Sequence, residues 1–208
     1  MEDLKNTLNE NSTVVKLNNI LKEGGVIAFV TDTVWGIGCL PYSEKGVNRI
    51  YEIKGRDREK PLILMSDKEE NLMPYVKDVP DKAKELMSEF FPGALTLVVK
   101  KSEKTPAFIT SNKDTVGIRV PDNTFFKELC SKIEGHVLAT TSANLSNHPS
   151  SKTYEDAINS IGNLVDIVFQ DDETSKCAGR ESTVALVTDN NITILRQGSV
   201  NITDKNQY

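Results

Sequence analysis

Short apolar segments of strand length recur along the chain and alternate with segments of helical periodicity. Residues 26–30, Val-Ile-Ala-Phe-Val, form an uninterrupted apolar run that is typical of a strand buried on both faces. Residues 81–90 place apolar side chains three and four positions apart, as an amphipathic helix does, whereas the polar residues 4–21 show that spacing only weakly. Further strands are predicted at residues 61–65, 95–99, 115–120, 137–141, 165–169, 183–187 and 192–195, and further helices at 43–53, 121–133 and 153–161. This order predicts one α/β domain with a mixed β-sheet, spanning residues 1–208 with its core at about residues 14–200.

The composition is that of a globular protein, with 38% apolar and 26% charged residues among 208. The formal net charge of −5 disfavours a surface that binds nucleic acid or anionic membranes generically, so an anion would need a local cluster of cations. The three cysteines (Cys39, Cys130 and Cys177) lie far apart without metal-ligand spacing, which favours a reducing compartment. No secretion signal and no apolar segment of membrane-spanning length is visible, so we expect a cytoplasmic protein.

A basic segment interrupts this acidic background. Between residues 49 and 61, five cations stand against three anions. In an extended conformation Lys54, Arg56, Arg58 and Lys60 would point to one side of the chain. Such a row of cations suits a polyphosphate, because Arg binds phosphate through two hydrogen bonds and Lys acts as a point charge. A solvated charged loop is the alternative interpretation of the same residues.

Two predicted strands end in segments that are rich in hydroxyl groups. Residues 31–38 follow the first strand and combine threonines, an aspartate, the sole tryptophan and two glycines. Residues 140–147 follow a later strand and have a similar composition. Because ligands of open α/β sheets bind beyond the carboxyl ends of strands, both segments are candidates for a pocket wall. The alternative for residues 31–38 is an ordinary turn in which Trp35 fills the core.

Several common catalytic motifs are missing from the sequence. There is no Gly-x-x-x-x-Gly-Lys phosphate loop, and the pair Gly36 and Gly38 lacks the third glycine of a dinucleotide-binding turn. His136 and His148 are isolated, which argues against a zinc site, and no motif of a serine nucleophile occurs. Cations and hydroxyl groups remain, and these groups bind and position an anionic ligand. Phosphoryl or nucleotidyl transfer needs little more, because its catalysis rests largely on placement and electrostatics.

Six short motifs, in order along the chain, resemble those of the YrdC/Sua5 family, the threonylcarbamoyl-AMP synthases. They are Thr-Asp-Thr-Val-Trp-Gly-Ile-Gly at residues 31–38, Lys-Gly-Arg with Lys-Pro-Leu at 54–62, Pro-Gly-Ala-Leu-Thr at 92–96, Arg-Val-Pro at 119–121, Ser-Ala-Asn-Leu-Ser at 142–146, and Ser-Thr-Val with Leu-Arg-Gln-Gly at 182–198. Each motif alone is a weak signal, but six motifs at family-like spacing are specific. The resemblance covers residues 24–198.

The resemblance implies a YrdC-like fold, in which a twisted mixed β-sheet with helices encloses a large central cavity. It also implies a nucleotidyltransferase that forms L-threonylcarbamoyladenylate and pyrophosphate from L-threonine, bicarbonate and ATP. That product would serve a threonylcarbamoyl-transferase machinery that makes the t6A37 modification of tRNA. Mg²⁺ is expected on the ATP, with no structural metal bound by the protein, no membrane partner and no strong direct binding of RNA.

The resemblance further implies roles for individual residues. Lys54 and Arg56 would be catalytic. ATP would be bound by Arg56, Lys60, Thr115, Ser142, Asn144, Ser150 and Arg196. Threonine would be bound by Thr33, Met65, Arg119, Thr140 and Ser182. Arg119 lies among apolar residues and is too costly to bury unpaired, so we assign it the substrate carboxylate, with an Asp or Glu of the chain as the alternative partner.

The sequence departs from the family pattern at five positions. Val30 replaces a proline and Trp35 replaces a tyrosine, which would reshape one wall of the pocket. Met65 stands where many relatives have a histidine. Asn147 and Glu181 replace a glycine and a proline in loops, and we expect these two changes to be harmless.

Two other functions are compatible with such a cavity. A binding module could hold RNA or a nucleotide without turnover, although the negative net charge and the lack of aromatic residues between Lys and Arg disfavour an RNA surface. Carbamoyl transfer to a protein is the other function, because related domains occur in hydrogenase-maturation enzymes. The acylphosphatase and zinc-finger-like segments of those enzymes are missing from this sequence, which disfavours it.

Overall fold

In the described residues of the computed structural model, one nine-stranded β-sheet with helices forms the fold. The structure describes residue 8 and residues 10–170, 177–189 and 191–202. The strands are β1 (Ile27–Phe29), β2 (Gly36–Cys39), β3 (Ile63–Ser66), β4 (Leu95–Lys100), β5 (Thr115–Arg119), β6 (Val137–Ser142), β7 (Ile167–Val168), β8 (Thr183–Val187) and β9 (Ile192–Arg196). The α-helices are α1 (Asn11–Lys22), α2 (Glu44–Lys54), α3 (Asp81–Phe90), α4 (Thr124–Lys132) and α5 (Tyr154–Ala157). Two short 3-10 helices (Glu69–Asn71 and Met73–Tyr75) and a π-helical turn (Ile158–Gly162) lie between them.

The sheet combines parallel and antiparallel neighbours in the order β7-β1-β2-β6-β3-β5-β4-β8-β9. β3 runs parallel to β5, with Leu64 opposite Ile118, and antiparallel to β6, with Ile63 opposite Thr140. The pairs β1 with β7 and β4 with β8 are also parallel. The predicted α/β fold with a mixed sheet is therefore confirmed.

Capping residues explain where two of the helices begin. At the start of the helix predicted for residues 153–161, Thr153 forms the capping box of α5 together with Asp156. α4 begins at Thr124 instead of the predicted Pro121, because Asn123 supplies the cap that satisfies a free amide of the first turn. No helix in the described part of the chain combines the length and the apolar character that crossing a bilayer requires.

β2 is a strand in a segment for which the sequence pattern predicts none. The error arose because half of its four residues are glycines, which have low strand propensity. These glycines lie against the ring of Phe29 on the neighbouring strand: a Cβ at Gly36 would lie 2.9 Å from Phe29 Cε2, and a Cβ at Gly38 would lie 3.2 Å from Phe29 Cε1. The ring of the neighbouring strand thus fills the space that larger side chains of β2 would need.

Alternate side chains of the strands face two different layers. On one face, Leu97 of β4 and Ile118 of β5 belong to a hydrophobic core that includes the buried sides of α2 and α3. On the opposite face, Phe29 and Leu138 belong to a second core with α4 and with α1, which buries Leu17 although its sequence predicted a helix only weakly. Farther along this second face the strand side chains line a cavity instead.

Candidate active site

A cavity of about 660 Å³ lies on the second face of the sheet. Its floor consists of strand residues that share this face, namely Thr96 and Val98 of β4 and Thr115, Gly117 and Arg119 of β5. Cavities of about 300–1,000 Å³ are typical of sites for small-molecule ligands. The large cavity expected from the family resemblance is therefore present.

The cavity brings most of the predicted site residues together. Those that line it are Arg56, Lys60, Thr115, Ser142 and Arg196 from the predicted ATP site and Thr33, Met65, Arg119, Thr140 and Ser182 from the predicted threonine site. Lys54, Asn144 and Ser150 are not among the lining residues; each contacts a residue that is. The ligand assigned to each residue stays a prediction.

Three arginines from distant parts of the chain converge on this cavity. Arg56 follows α2, Arg119 ends β5 and Arg196 ends β9. Burial lowers the pKa of each guanidinium, because the charged form loses water. The charge of Arg196 also lowers the pKa of Arg56 and of Arg119. Like charges that line one cavity favour an anionic ligand between them.

Arg119 is only 2% exposed, and its guanidinium is already engaged by groups of the chain. Nε donates to Gly93 O at 2.9 Å, Nη1 donates to Thr33 Oγ1 at 2.8 Å, and Nη2 pairs with Asp32 Oδ1 at 2.5 Å. The carboxylate partner that burial requires is therefore Asp32, the alternative to a substrate carboxylate. A bound amino acid would have to use the N–H groups of Arg119 that remain.

Ser182 and Arg196 connect the two predicted subsites. Arg196 Nε and Nη2 donate to Ser182 O at 3.1 and 2.9 Å, and Nη2 lies 3.2 Å from Ser182 Oγ. The Ser182 hydroxyl also hydrogen-bonds to Thr96 Oγ1 at 2.8 Å. Ser182 is assigned to threonine and Arg196 to ATP, so the two predicted subsites adjoin at this contact.

The basic segment does not form the predicted row of cations. α2 continues to Lys54, and Gly55 then adopts a left-handed conformation with a φ of 55°, which turns the chain. As a result Arg56 and Lys60 reach the cavity, whereas Lys54 and Arg58 do not. The prediction of an extended segment is wrong, because the helix end and its turn impose a different geometry.

Lys54 is buried behind the cavity wall and holds residues 142–144 in place. Its Nζ donates to Ser142 O at 2.5 Å, to Asn144 O at 2.6 Å and to Asn144 Oδ1 at 3.1 Å. Ser142 Oγ in turn donates to Asn144 Oδ1 at 2.5 Å. Burial lowers the pKa of Lys54 to about 7, and the charge of Arg56 contributes to this shift. The catalytic role of Lys54 stays a prediction, and its contacts indicate that it supports the wall.

Replacing Lys54 with methionine should lower the free energy of unfolding by about 2–4 kcal/mol, because the buried acceptors of residues 142–144 lose their donor. Urea denaturation measures this change. Lys60→Met is the matched control: Lys60 is exposed, so its removal should change stability by less than about 0.5 kcal/mol. An Lys54→Met variant that is as stable as the wild type but inactive would contradict a supporting role and favour direct catalysis.

The structure also adds residues that the sequence did not predict for the site. Lys113 lines the cavity, and its spacing of two residues from Thr115, on the same side of an extended chain, could have indicated this. Glu181, which we expected to be a harmless loop change, also lies in the wall. Its Oε1 accepts a hydrogen bond from Ser150 Oγ at 2.7 Å, so Ser150 reaches the wall through this carboxylate.

Besides Glu181, two further departures from the family pattern lie at the cavity. Trp35 and Met65 line it, whereas Val30 is buried in the core and is not among the lining residues. The Trp35 ring also packs against the ring of Tyr154, with the centroids 5.8 Å apart. Of the two changes predicted to reshape the wall, the structure thus places Trp35 at the cavity.

Known proteins with similar sequences support one family. The family model for Sua5, YciO and YrdC proteins, described as telomere recombination, matches residues 19–198. The chain is 35% identical over 180 residues to a threonylcarbamoyl-AMP synthase of Pyrococcus abyssi, covering 86% of this chain and 52% of that protein. It is 36% identical over 150 residues to a threonylcarbamoyl-AMP synthase of Yersinia enterocolitica, covering 71% of this chain and 78% of that protein.

A solved structure agrees with the sequence comparisons. Sua5 of P. abyssi, in a crystal structure of its complex with L-threonine, superposes with a TM-score of 0.83 at 33% identity. The match covers 91% of this chain and 55% of the P. abyssi chain, so the present chain spans about half the length of that relative. The chain belongs to the Sua5/YciO/YrdC family.

Proposed function

We propose that this chain is a threonylcarbamoyl-AMP synthase, a nucleotidyltransferase that forms L-threonylcarbamoyladenylate and pyrophosphate from L-threonine, bicarbonate and ATP. The observation that carries the proposal is the convergence of Arg56, Arg119 and Arg196 on one cavity, in a chain similar to proteins named for this product. The triphosphate of ATP and the carboxylate of an amino acid are anions that such a cluster binds.

The reaction requires two anionic substrates side by side. The amine of threonine and bicarbonate give an N-carboxylate with loss of water. An oxygen of that carboxylate then bonds to the α-phosphorus of ATP, while the bond from this phosphorus to the departing pyrophosphate breaks. The contact between Ser182 and Arg196 supports adjacent subsites for this step. The fixed guanidinium groups would hold both reactants in line and stabilise the charge that develops on the pyrophosphate.

Mg²⁺ fits the donor groups of this cavity as a cation that arrives with ATP. In the described ranges of the chain, no group of three or more His, Cys, Asp and Glu side chains could hold a metal ion by itself. The wall does offer the carboxylates of Glu59 and Glu181 and several hydroxyl groups. Mg²⁺ at nucleotide sites is usually bound by one or two carboxylates together with the phosphates. Mg²⁺ would neutralise part of the phosphate charge, and the arginines would neutralise the remainder.

The product would pass to a threonylcarbamoyl-transferase machinery that acts on tRNA in the cytoplasm. We expect no strong binding of tRNA by this chain alone, because its net charge of −5 opposes contacts with many phosphates.

Incubation of the purified protein with ATP, Mg²⁺, bicarbonate and L-threonine should release pyrophosphate and yield the adenylate, which mass spectrometry detects. Serine should be a poor but detectable substrate, because the loss of one methyl group costs only about 1–3 kcal/mol. Valine should be nearly inert, because it leaves hydrogen-bonding groups of the site unpaired. More adenylate from valine than from serine would show that the site does not recognise the hydroxyl group. No adenylate from threonine, with a known synthase as positive control, would refute the proposed function.

A further inference from the structure

Glu181 places a carboxylate in the wall of a cavity whose charged lining residues are mainly cations. It immediately precedes Ser182, whose backbone carbonyl accepts two hydrogen bonds from Arg196. Among the described lining residues the other carboxylate is Glu59, which is an exposed residue of the turn after α2. Glu181 is partly buried and is therefore less exposed than Glu59.

Contacts fix Glu181 at both its side chain and its backbone. Ser150 Oγ donates to Glu181 Oε1 at 2.7 Å. The backbone carbonyl of Glu181 accepts from Ser199 N at 2.9 Å and from Ser199 Oγ at 3.1 Å. A Cβ at Gly198 would lie only 2.3 Å from this carbonyl oxygen, so a glycine is needed for the close approach. Carboxylates that bind metal ions are usually oriented by hydrogen bonds in this way, whereas mobile surface carboxylates are not.

The Glu181 carboxylate is ionised at neutral pH. The hydrogen bond from Ser150 lowers its pKa the most, and a backbone hydrogen bond and the charges of Arg196 and Lys152 also lower it, whereas burial opposes these effects. An ionised carboxylate next to a bound triphosphate repels it unless a cation lies between them. Arg196 and Lys152 offset part of this repulsion, and a divalent cation on the triphosphate would offset the rest.

We propose that Glu181 is the protein's ligand for the divalent cation that the nucleotide carries. The inference rests on the proposed function, because the cation enters with ATP. Two residues of the predicted ATP site, Ser150 and Arg196, flank this carboxylate. A cation bound to the phosphates would therefore lie close to the carboxylate. One carboxylate plus phosphate oxygens is a usual set of ligands for Mg²⁺ at such sites. The competing explanation, a carboxylate that only repels the nucleotide, predicts the opposite effect of its removal.

Glu181→Gln removes the charge but keeps the size of the side chain and an oxygen that can accept from Ser150. Calorimetry with α,β-methylene-ATP, which does not react, measures how much Mg²⁺ increases the affinity for the nucleotide. We expect this increase to be about tenfold smaller in Glu181→Gln than in the wild type. The electron paramagnetic resonance of Mn²⁺ should likewise show about tenfold weaker binding of the metal to the complex of the variant with the analogue. In the control Glu52→Gln, which removes an exposed charge of α2 outside the cavity lining, both quantities should change by less than about twofold.

Each outcome separates the role of Glu181 from the proposed function. An equal effect of Mg²⁺ in the wild type and in Glu181→Gln, with equal Mn²⁺ binding, would overturn the inference while leaving the synthase activity intact. Tighter binding of the analogue by the variant, to the same extent with and without metal, would identify a repulsive carboxylate and would also overturn it. A wild-type protein that binds no nucleotide at all would refute the proposed function and this inference together.

Discussion

The variant Arg119→Met should lose about 3–5 kcal/mol of its free energy of unfolding, because it leaves the carboxylate of Asp32 without its cation. The two side chains are 2% and 16% exposed, and Arg119 Nη2 lies 2.5 Å from Asp32 Oδ1. The substitution also removes the donors to Gly93 O and Thr33 Oγ1. Urea denaturation at neutral pH measures the loss.

The double variant Arg119→Met with Asp32→Asn is the informative control. It removes both charges. Its loss of free energy of unfolding should therefore be smaller than the summed losses of the two single variants, by about 2 kcal/mol or more. Strictly additive effects would show that the two groups do not stabilise each other. The folded double variant also separates stability from function: if Arg119 binds the substrate carboxylate, the KM for threonine should rise in the double variant although the protein is folded.

The strands with long apolar runs could be predicted from the sequence, but β2 could not. A continuous apolar segment such as residues 26–30 predicts a buried strand, because every side chain in it is apolar. The glycines of β2 do not by themselves indicate a strand. Their place in a strand follows from the ring of Phe29 beside them, and that neighbour is known only once the register of β1 and β2 is known.

Contacts within the site likewise could not be predicted from the sequence. The family-like motifs indicated many of the residues at the cavity, because these residues line one face of the sheet and the segments next to it. The sequence did not give the partners of those residues. Asp32 and Arg119 are 87 positions apart, and Ser150 and Glu181 are 31 positions apart, so neither contact has a local signal. The sequence alone therefore does not distinguish Glu181 from an ordinary substitution in a loop.

Replacing Arg56 with methionine should lower kcat/KM by about 10²-fold or more, whereas Arg58→Met should leave it nearly unchanged. The two arginines are two positions apart and carry the same charge, which makes them a matched pair. Arg56 lines the cavity, and its pKa responds to the charge of Arg196 across the site. Arg58 instead donates to Asn48 Oδ1 at 2.6 Å and lies 5.6 Å from the centroid of the Tyr51 ring.

Initial rates of pyrophosphate release at several ATP concentrations test this pair of variants, with thermal denaturation as a check on folding. Arg56 Nε donates to Lys60 O at 3.2 Å, so its loss should cost only about 1 kcal/mol of stability. A similar loss of activity in both variants would show that the segment acts through its net charge and not through the position of Arg56. Near-normal activity of Arg56→Met would support the solvated-loop interpretation of the basic segment. A large loss confined to Arg56→Met requires a guanidinium at the cavity, because the two substitutions change the net charge of the segment equally.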